Sequence, residues 1–169
     1  RGQCRRSRSG KRVSQDFEGQ HHWLELDNNL SNEYFSEFEN EKIAWIDLAD
    51  KGRFSKVGPG VYIDKTLFFL TGSQIPYLLG ILNSKLVNWY FDTICSSSGV
   101  GTNLWSKISI ESIPVPKITS YKLELIRKIG NLANQIQEIN NKASNMDTML
   151  LEKQIDQLVY KLYGLTPEE

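Results

Sequence analysis

The chain has 169 residues, a hydrophobic fraction of 40%, a charged fraction of 24%, and 20 basic against 20 acidic residues. These are the values of a soluble globular domain with at most one appendage. No apolar run nears the roughly 20 residues that span a bilayer, and the polar, basic first dozen residues do not form a secretory signal pattern.

Zero net charge conceals a pattern. Residues 1–12 carry six bases and no acid, residues 13–50 ten acids and one base, and residues 51–120 seven bases and three acids. Basic charge in the first and central segments is compatible with a nucleic-acid face on a neutral protein. Cys4 and Cys95 are too few and too distant for a disulfide framework, which points to a reducing cytoplasm. With only His21 and His22 beside them, no four-ligand metal spacing exists. The chain opens on Arg1 rather than Met and reads as a fragment of something longer.

Taken in chain order, residues 1–21 lack hydrophobic periodicity and read as a basic, poorly ordered segment. Residues 22–26 are a short apolar-rich stretch. Residues 32–40 place Tyr34, Phe35 and Phe38 on one helical face. Residues 42–48 read as a strand, 52–60 as a loop, and 61–63 and 66–71 as two further strands joined by a turn at Asp64-Lys65. Ser73 resembles a helix N-cap, and Ile75, Leu78, Leu79, Leu82, Leu86, Trp89 and Tyr90 form the apolar stripe of one helix reaching Ile94, with Pro76 in its first turn.

Residues 96–101 read as a flexible loop. Residues 104–110 alternate apolar and polar side chains as a half-buried strand does. Ile113-Pro114-Val115-Pro116 is an extended exit, since proline drives the preceding residue out of the helical region. Apolar spacings of three and four then predict two antiparallel helices over 120–143 and 148–163, ended by Gly164.

No isolated activity is legible. The five prolines include no Pro-Pro pair, so the Asn/Asp-Pro-Pro-aromatic grip on a flipped adenine is missing. Gly99-x-Gly101 lacks the strand-to-helix context of a cofactor loop. There is no Glu-x-Lys of the common metal-dependent nucleases and no Gly-x-Ser-x-Gly.

Four phrases, in order, carry a resemblance. Phe38-Glu39-Asn40-Glu41-Lys42-Ile43 is close to F-E-x-x-K-I, and Leu79-Gly80-Ile81-Leu82-Asn83-Ser84-Lys85-Leu86 to L-L-x-L-L-N-S-K-L. Ile110-Glu111-Ser112-Ile113-Pro114-Val115-Pro116 matches a hydrophobic-x-x-L-P-I-P exit, and Ile155-Asp156-Gln157-Leu158-Val159-Tyr160-Lys161-Leu162-Tyr163-Gly164-Leu165 matches I-D-x-L-V-Y-x-L-Y-G-L. The chain thus resembles, over about residues 22–166, the TaqI-like C-terminal specificity domains of adenine-specific DNA methyltransferases and type II restriction–modification enzymes.

The resemblance implies an α+β fold. A mixed strand/helix target-recognition domain over 22–119 is followed by an antiparallel helical hairpin over 120–169, acting as spacer or docking helices. It implies that S-adenosylmethionine and base flipping belong to a separate methyltransferase domain of the parent chain, and that this part binds double-stranded DNA and selects the adenine. It implies no catalytic residue, cofactor or metal ligand here.

Lys51, Arg53, Lys56, Lys65 and Lys107 are the candidates for backbone contact, and Arg53, Asn103 and Trp105 for base-edge or stacking contact. Two other readings stand beside this one: half of a type I-like specificity subunit, or a protein–protein docking module using the C-terminal helices.

Overall fold

The computed structural model describes residues 5–6, 12–13, 31–63, 66–95, 101–142 and 147–166. The chain divides into two compact units, Arg1–Phe35 and Ser36–Glu169. In the first, β1 (Arg5–Arg6) pairs antiparallel with β2 (Arg12–Val13). A short helix, α1 (Asn32–Ser36), crosses the boundary. The expected 22–26 stretch, the Asp64-Lys65 turn, the Ser96–Val100 part of the flexible loop and the break at 143–146 lie outside the described residues.

The second unit is built on a three-stranded antiparallel sheet. Its centre is β3 (Lys42–Ile46), flanked by β5 (Phe54–Val57) and β6 (Leu67–Thr71). Side chains alternate across a strand, so Ile43 and Trp45 enter the main core while Ala44 and its partner Phe69 face the other way. On that second face Phe38 packs against Phe69 and stacks on Tyr62. Lys42 is fully buried; its ammonium donates to the carbonyls of Phe38 at 2.9 Å and Gly58 at 3.0 Å. The lysine thereby ties the turn before β3 to the loop after β5.

The outer edge of β5 is closed by side-chain amides. Asn83 accepts from the Phe54 N–H at 3.1 Å and donates to the Phe54 carbonyl at 3.0 Å. Gln137 accepts from the Lys56 N–H at 3.1 Å. An open edge invites pairing with another chain, and these amides occupy the groups that would pair. Residues 54–57, expected to be loop, form a strand because β3 pairs on one side and these amides substitute for a fourth strand on the other.

The expected single helix from Ser73 is two: α2 (Ile75–Leu82) and α3 (Lys85–Ile94). Pro76 lies in the first turn of α2 as expected, but Gln74, at φ 63°, occupies the position before the helix. Asn83 turns its side chain to β5, and Ser84 leaves the helical region to cap α3, its Oγ accepting from the Val87 N–H. Residues 61–63 are not strand, and residues 104–110 do not run as one. Instead β4 (Leu48–Ala49) pairs antiparallel with β7 (Asn103–Leu104), and Ser106 caps α4 (Lys107–Glu111), its Oγ accepting from the Ser109 N–H.

A 3₁₀ turn at Ser120–Lys122 leads into α5 (Leu123–Asn141), and α6 (Met149–Tyr163) follows. The helices return antiparallel: Lys122, at the start of α5, donates to the Leu162 carbonyl near the end of α6 at 3.1 Å. Gly164 ends α6 with φ 80°, as expected. Both helices bury one stripe (Ile126, Ile129 and Ala133; Ile155, Val159 and Leu162) in the same core as Ile43, Trp45 and α2–α3. The α2–α5 contact needs Gly80, since a Cβ there would lie 2.5 Å from Ile129 Cγ2. The exit over 113–119 is held by two hydroxyls: Tyr77 donates to the Pro116 carbonyl and Tyr163 to that of Pro114. Among the described residues no helix is long and apolar enough to cross a membrane.

Candidate nucleic-acid interface

The junction between β4, β7 and α3 turns on Trp105. Its ring is 1% exposed and stacks on Phe91 with centroids 3.6 Å apart, while Phe54 meets it edge-on. Its backbone N–H donates to the Asp47 carbonyl at 2.7 Å and its indole N–H to that of Ala49 at 3.3 Å. Its own carbonyl accepts from the Trp45 indole at 2.8 Å. Trp105 therefore cannot meet a base from this position. The expectation of surface contact is corrected: ring area and three hydrogen bonds fix it as a core residue.

Around that anchor the chain displays a short basic loop. Gly52 lies against the Trp105 and Phe54 rings, where a Cβ would come within 2.7 Å of each, and its N–H donates to the Asn88 side chain at 2.8 Å. This close approach leaves Lys51 and Arg53, on either side, exposed. Asn103 pairs with Ala49 across β4–β7. Lys107 starts α4 two residues after Trp105 and is exposed. Lys51, Arg53, Asn103 and Lys107 are thus within three residues of one rigid junction formed by Ala49, Gly52 and Trp105.

Lys56 does not join them. Its part-buried ammonium donates to Asn134 on α5 at 2.9 Å and lies 3.6 Å from Glu41. A cation held this way pins β5 to α5 and is not free to meet a phosphate, which corrects its assignment. Lys65 lies outside the described residues.

Carboxylates are interleaved with the exposed cations. Asp50 pairs with Arg53 at 3.0 Å, and Glu111 pairs with Lys107 at 3.7 Å one helical turn on. Asp92 accepts from the Asn103 amide at 2.6 Å. Exposed pairs of this kind are worth little in water and separate readily. Asp50 engages one terminal nitrogen of a guanidinium that has five N–H donors, so it can orient Arg53 and still leave donors for another acceptor. Burial, and then the nearby Asp92, raise the Cys95 thiol above its ordinary value at the end of α3.

Sequence reasoning missed one residue of this neighbourhood. Trp89, assigned to the core stripe, is 64% exposed. Val87 and Phe91 are the buried positions of α3, Asn88 and Asp92 dock onto Gly52 and Asn103, and Trp89 falls on the outward face beyond them, one turn after exposed Lys85. Treating α3 as a separate helix, with Ser84 as its cap, would have rotated the stripe and put Trp89 outside.

A second surface feature lies between α5 and α6. It is a shallow groove of about 640 Å³, lined by Leu132, Leu150 and Leu158, with Lys128 and Lys153 among its polar residues. Among the described residues no group of three His, Cys, Asp or Glu side chains is placed to hold a metal ion.

The family profile of the TaqI-like C-terminal specificity domain matches residues 10–115. The match covers more than half of the chain, and the chain belongs to that family: it is a specificity domain of the DNA-recognition kind found in restriction–modification and DNA-methylation enzymes. The match takes in part of the basic segment over 1–21, holds the sheet, α2–α3, the Trp105 junction and α4, and stops before the C-terminal helices. No curated protein gave a significant match to the chain.

Proposed function

We propose that the chain reads duplex DNA on behalf of an adenine-N6 methyltransferase active site in another part of its parent protein, in a restriction–modification setting. The observation that carries the reading is that Lys51 and Arg53, through Gly52, and Asn103, through Ala49, are attached to the Trp105 junction, with Lys107 two residues beyond it, in a chain of this family. In this division of labour Lys51 and Lys107 engage phosphates and set the register, while Arg53 and Asn103 meet base edges in the major groove. Arginine has the donor geometry for guanine O6 and N7, and asparagine pairs with adenine N6 and N7. Asp50 and Asp92 hold these two side chains before DNA arrives. S-adenosylmethionine and the base-flipping pocket are assigned to the methyltransferase part of the parent protein, the division that membership of this family suggests. The cytoplasm is the compartment that fits such a role.

Titration of fluorescent duplex with the chain over a range of salt tests this. Affinity falls as salt rises, and the log–log slope loses about 0.9 for each phosphate contact removed. Lys51→Glu and Lys107→Glu flatten the slope. Unchanged affinity and slope in both variants removes the platform from the account.

A second reading rests on the α5–α6 groove: the helical pair docks the recognition domain onto the methyltransferase domain or onto another subunit, as in half of a type I-like specificity subunit. Leu150, which lines the groove and is 71% exposed, favours it. The two readings are compatible, since they use opposite kinds of surface.

A further inference from the structure

We infer that Trp89 is an aromatic DNA-contact residue, with Lys85 as its cationic neighbour. The inference deepens the DNA-reading proposal and rests on it. Trp89 exposes 64% of its surface in the middle of α3, whose Val87 and Phe91 face the core, although an indole carries a large apolar area. The helix is held rigidly. Ser84 and Asp156 engage its first turn, and Val87 and Phe91 are buried beneath it.

Position adds the second argument. Asn88, the residue before Trp89, binds the Gly52 N–H between Lys51 and Arg53 at 2.8 Å, and Asp92, three residues on, binds Asn103 at 2.6 Å. The indole is thus carried by the helix that binds both the loop and the ribbon of the proposed base and phosphate contacts. Lys85, one turn earlier on that outward face, is exposed and lies 3.9 Å from Asp156. In a duplex the base faces are stacked on one another, so the ring meets deoxyribose or a thymine methyl in the groove while the neighbouring cations meet phosphates. An indole gives apolar contact area that salt does not screen. Trp89 therefore contributes affinity independent of ionic strength, next to cations whose contribution falls with salt.

The test is duplex titration of the whole chain and of Trp89→Ala, Trp89→Phe and Lys85→Ala across salt. Trp89→Ala weakens binding about five- to thirtyfold at every salt concentration, with the slope unchanged. Trp89→Phe recovers most of that loss. Lys85→Ala flattens the slope. The fluorescence difference between the native chain and Trp89→Phe shifts on adding duplex, and acrylamide quenching of that difference falls. Because the ring is exposed, thermal melts of the variants stay near the parent value and separate lost contact from lost fold. Salt-dependent duplex binding that is unaffected by Trp89→Ala overturns this inference alone. Failure of the native chain to bind duplex at low salt overturns the DNA-reading proposal and this inference with it.

Discussion

The Asp156 carboxylate on α6 accepts a hydrogen bond from the backbone N–H of Lys85 at 2.9 Å, so the first turn of α3 is closed by a side chain from 71 residues further along. Two of the four sequence phrases, Asn83-Ser84-Lys85 and Ile155-Asp156, meet at this bond. Its consequence is positional. The helix bearing Asn88, Trp89 and Asp92 is fixed at its start by the C-terminal hairpin, and that helix in turn holds the 51–53 loop.

Asp156→Ala leaves the Lys85 N–H without this acceptor and costs about 1–2 kcal/mol, in the range of a lost helix cap. Asp156→Asn keeps an acceptor of the same shape and holds stability near the parent value. Burial, the largest influence, raises the Asp156 carboxyl above its ordinary 3.8, against the Lys85 N–H and ammonium. A raised folded-state value makes the native chain hold a proton that the unfolded chain has released. The contribution is therefore full below pH 3.8 and lost as pH rises through the folded value. Urea unfolding of the parent and Asp156→Asn across mild acid shows that pH-dependent component in the parent only.

Asn83 closes the β5 edge by accepting from and donating to the same residue, Phe54. Asn83→Asp retains the acceptor but turns the donor into a second oxygen facing the Phe54 carbonyl. The expected loss is about 1–3 kcal/mol. Hydrogen exchange at the Phe54 and Lys56 amides locates it: Phe54 exchanges faster in Asn83→Asp, and Lys56, held by Gln137, changes less.

Gly52 carries the close approach that exposes Lys51 and Arg53. A methyl there clashes with the Phe54 and Trp105 rings, both packed on other aromatics. Gly52→Ala is expected to cost about 1–3 kcal/mol through overpacking and to displace the loop. Duplex affinity, measured where the variant remains folded, falls by more than stability alone explains. Trp105→Ala costs about 3–5 kcal/mol, as truncation of a large buried aromatic does.

Tyr163 donates to the Pro114 carbonyl at 2.8 Å. Burial, reinforced by Tyr77, pushes its hydroxyl up from 10.0 to about 12. Its contribution is full below pH 10.0 and lost as pH rises through about 12. Denaturant midpoints of the parent therefore fall over that alkaline interval, and Tyr163→Phe, less stable at neutral pH, falls less steeply.

Much of the frame was legible in the sequence where one signal dominated. The β-branched and aromatic run at residues 42–46 marks the central strand, spacings of three and four mark α5 and α6, and Gly164 takes the left-handed cap its position required. What stayed hidden depends on tertiary partners. The Asn83-Ser84 break interrupts no apolar pattern; it exists because Asn83 pairs with β5, and missing it put Trp89 in the core. Residues 54–57 have loop composition and become strand through β3, Asn83 and Gln137. In residues 104–110 the alternation misleads, because Ser106 caps a helix that buries Ile110 and leaves Ile108 80% exposed. The sequence pattern places Trp105 at the surface and Trp89 in the core, and the structure exchanges them.

Duplex reading by this chain requires the face around Trp105 to meet the DNA. The most direct measurement is the change in backbone amide chemical shifts as the chain is titrated with a short duplex at low salt. Shifts concentrated at residues 49–53, 85–93 and 103–107 are the predicted result. Shifts concentrated along the α5–α6 groove, at Asn131, Leu132, Gln154 and Gln157, with the Trp105 junction silent, contradict it.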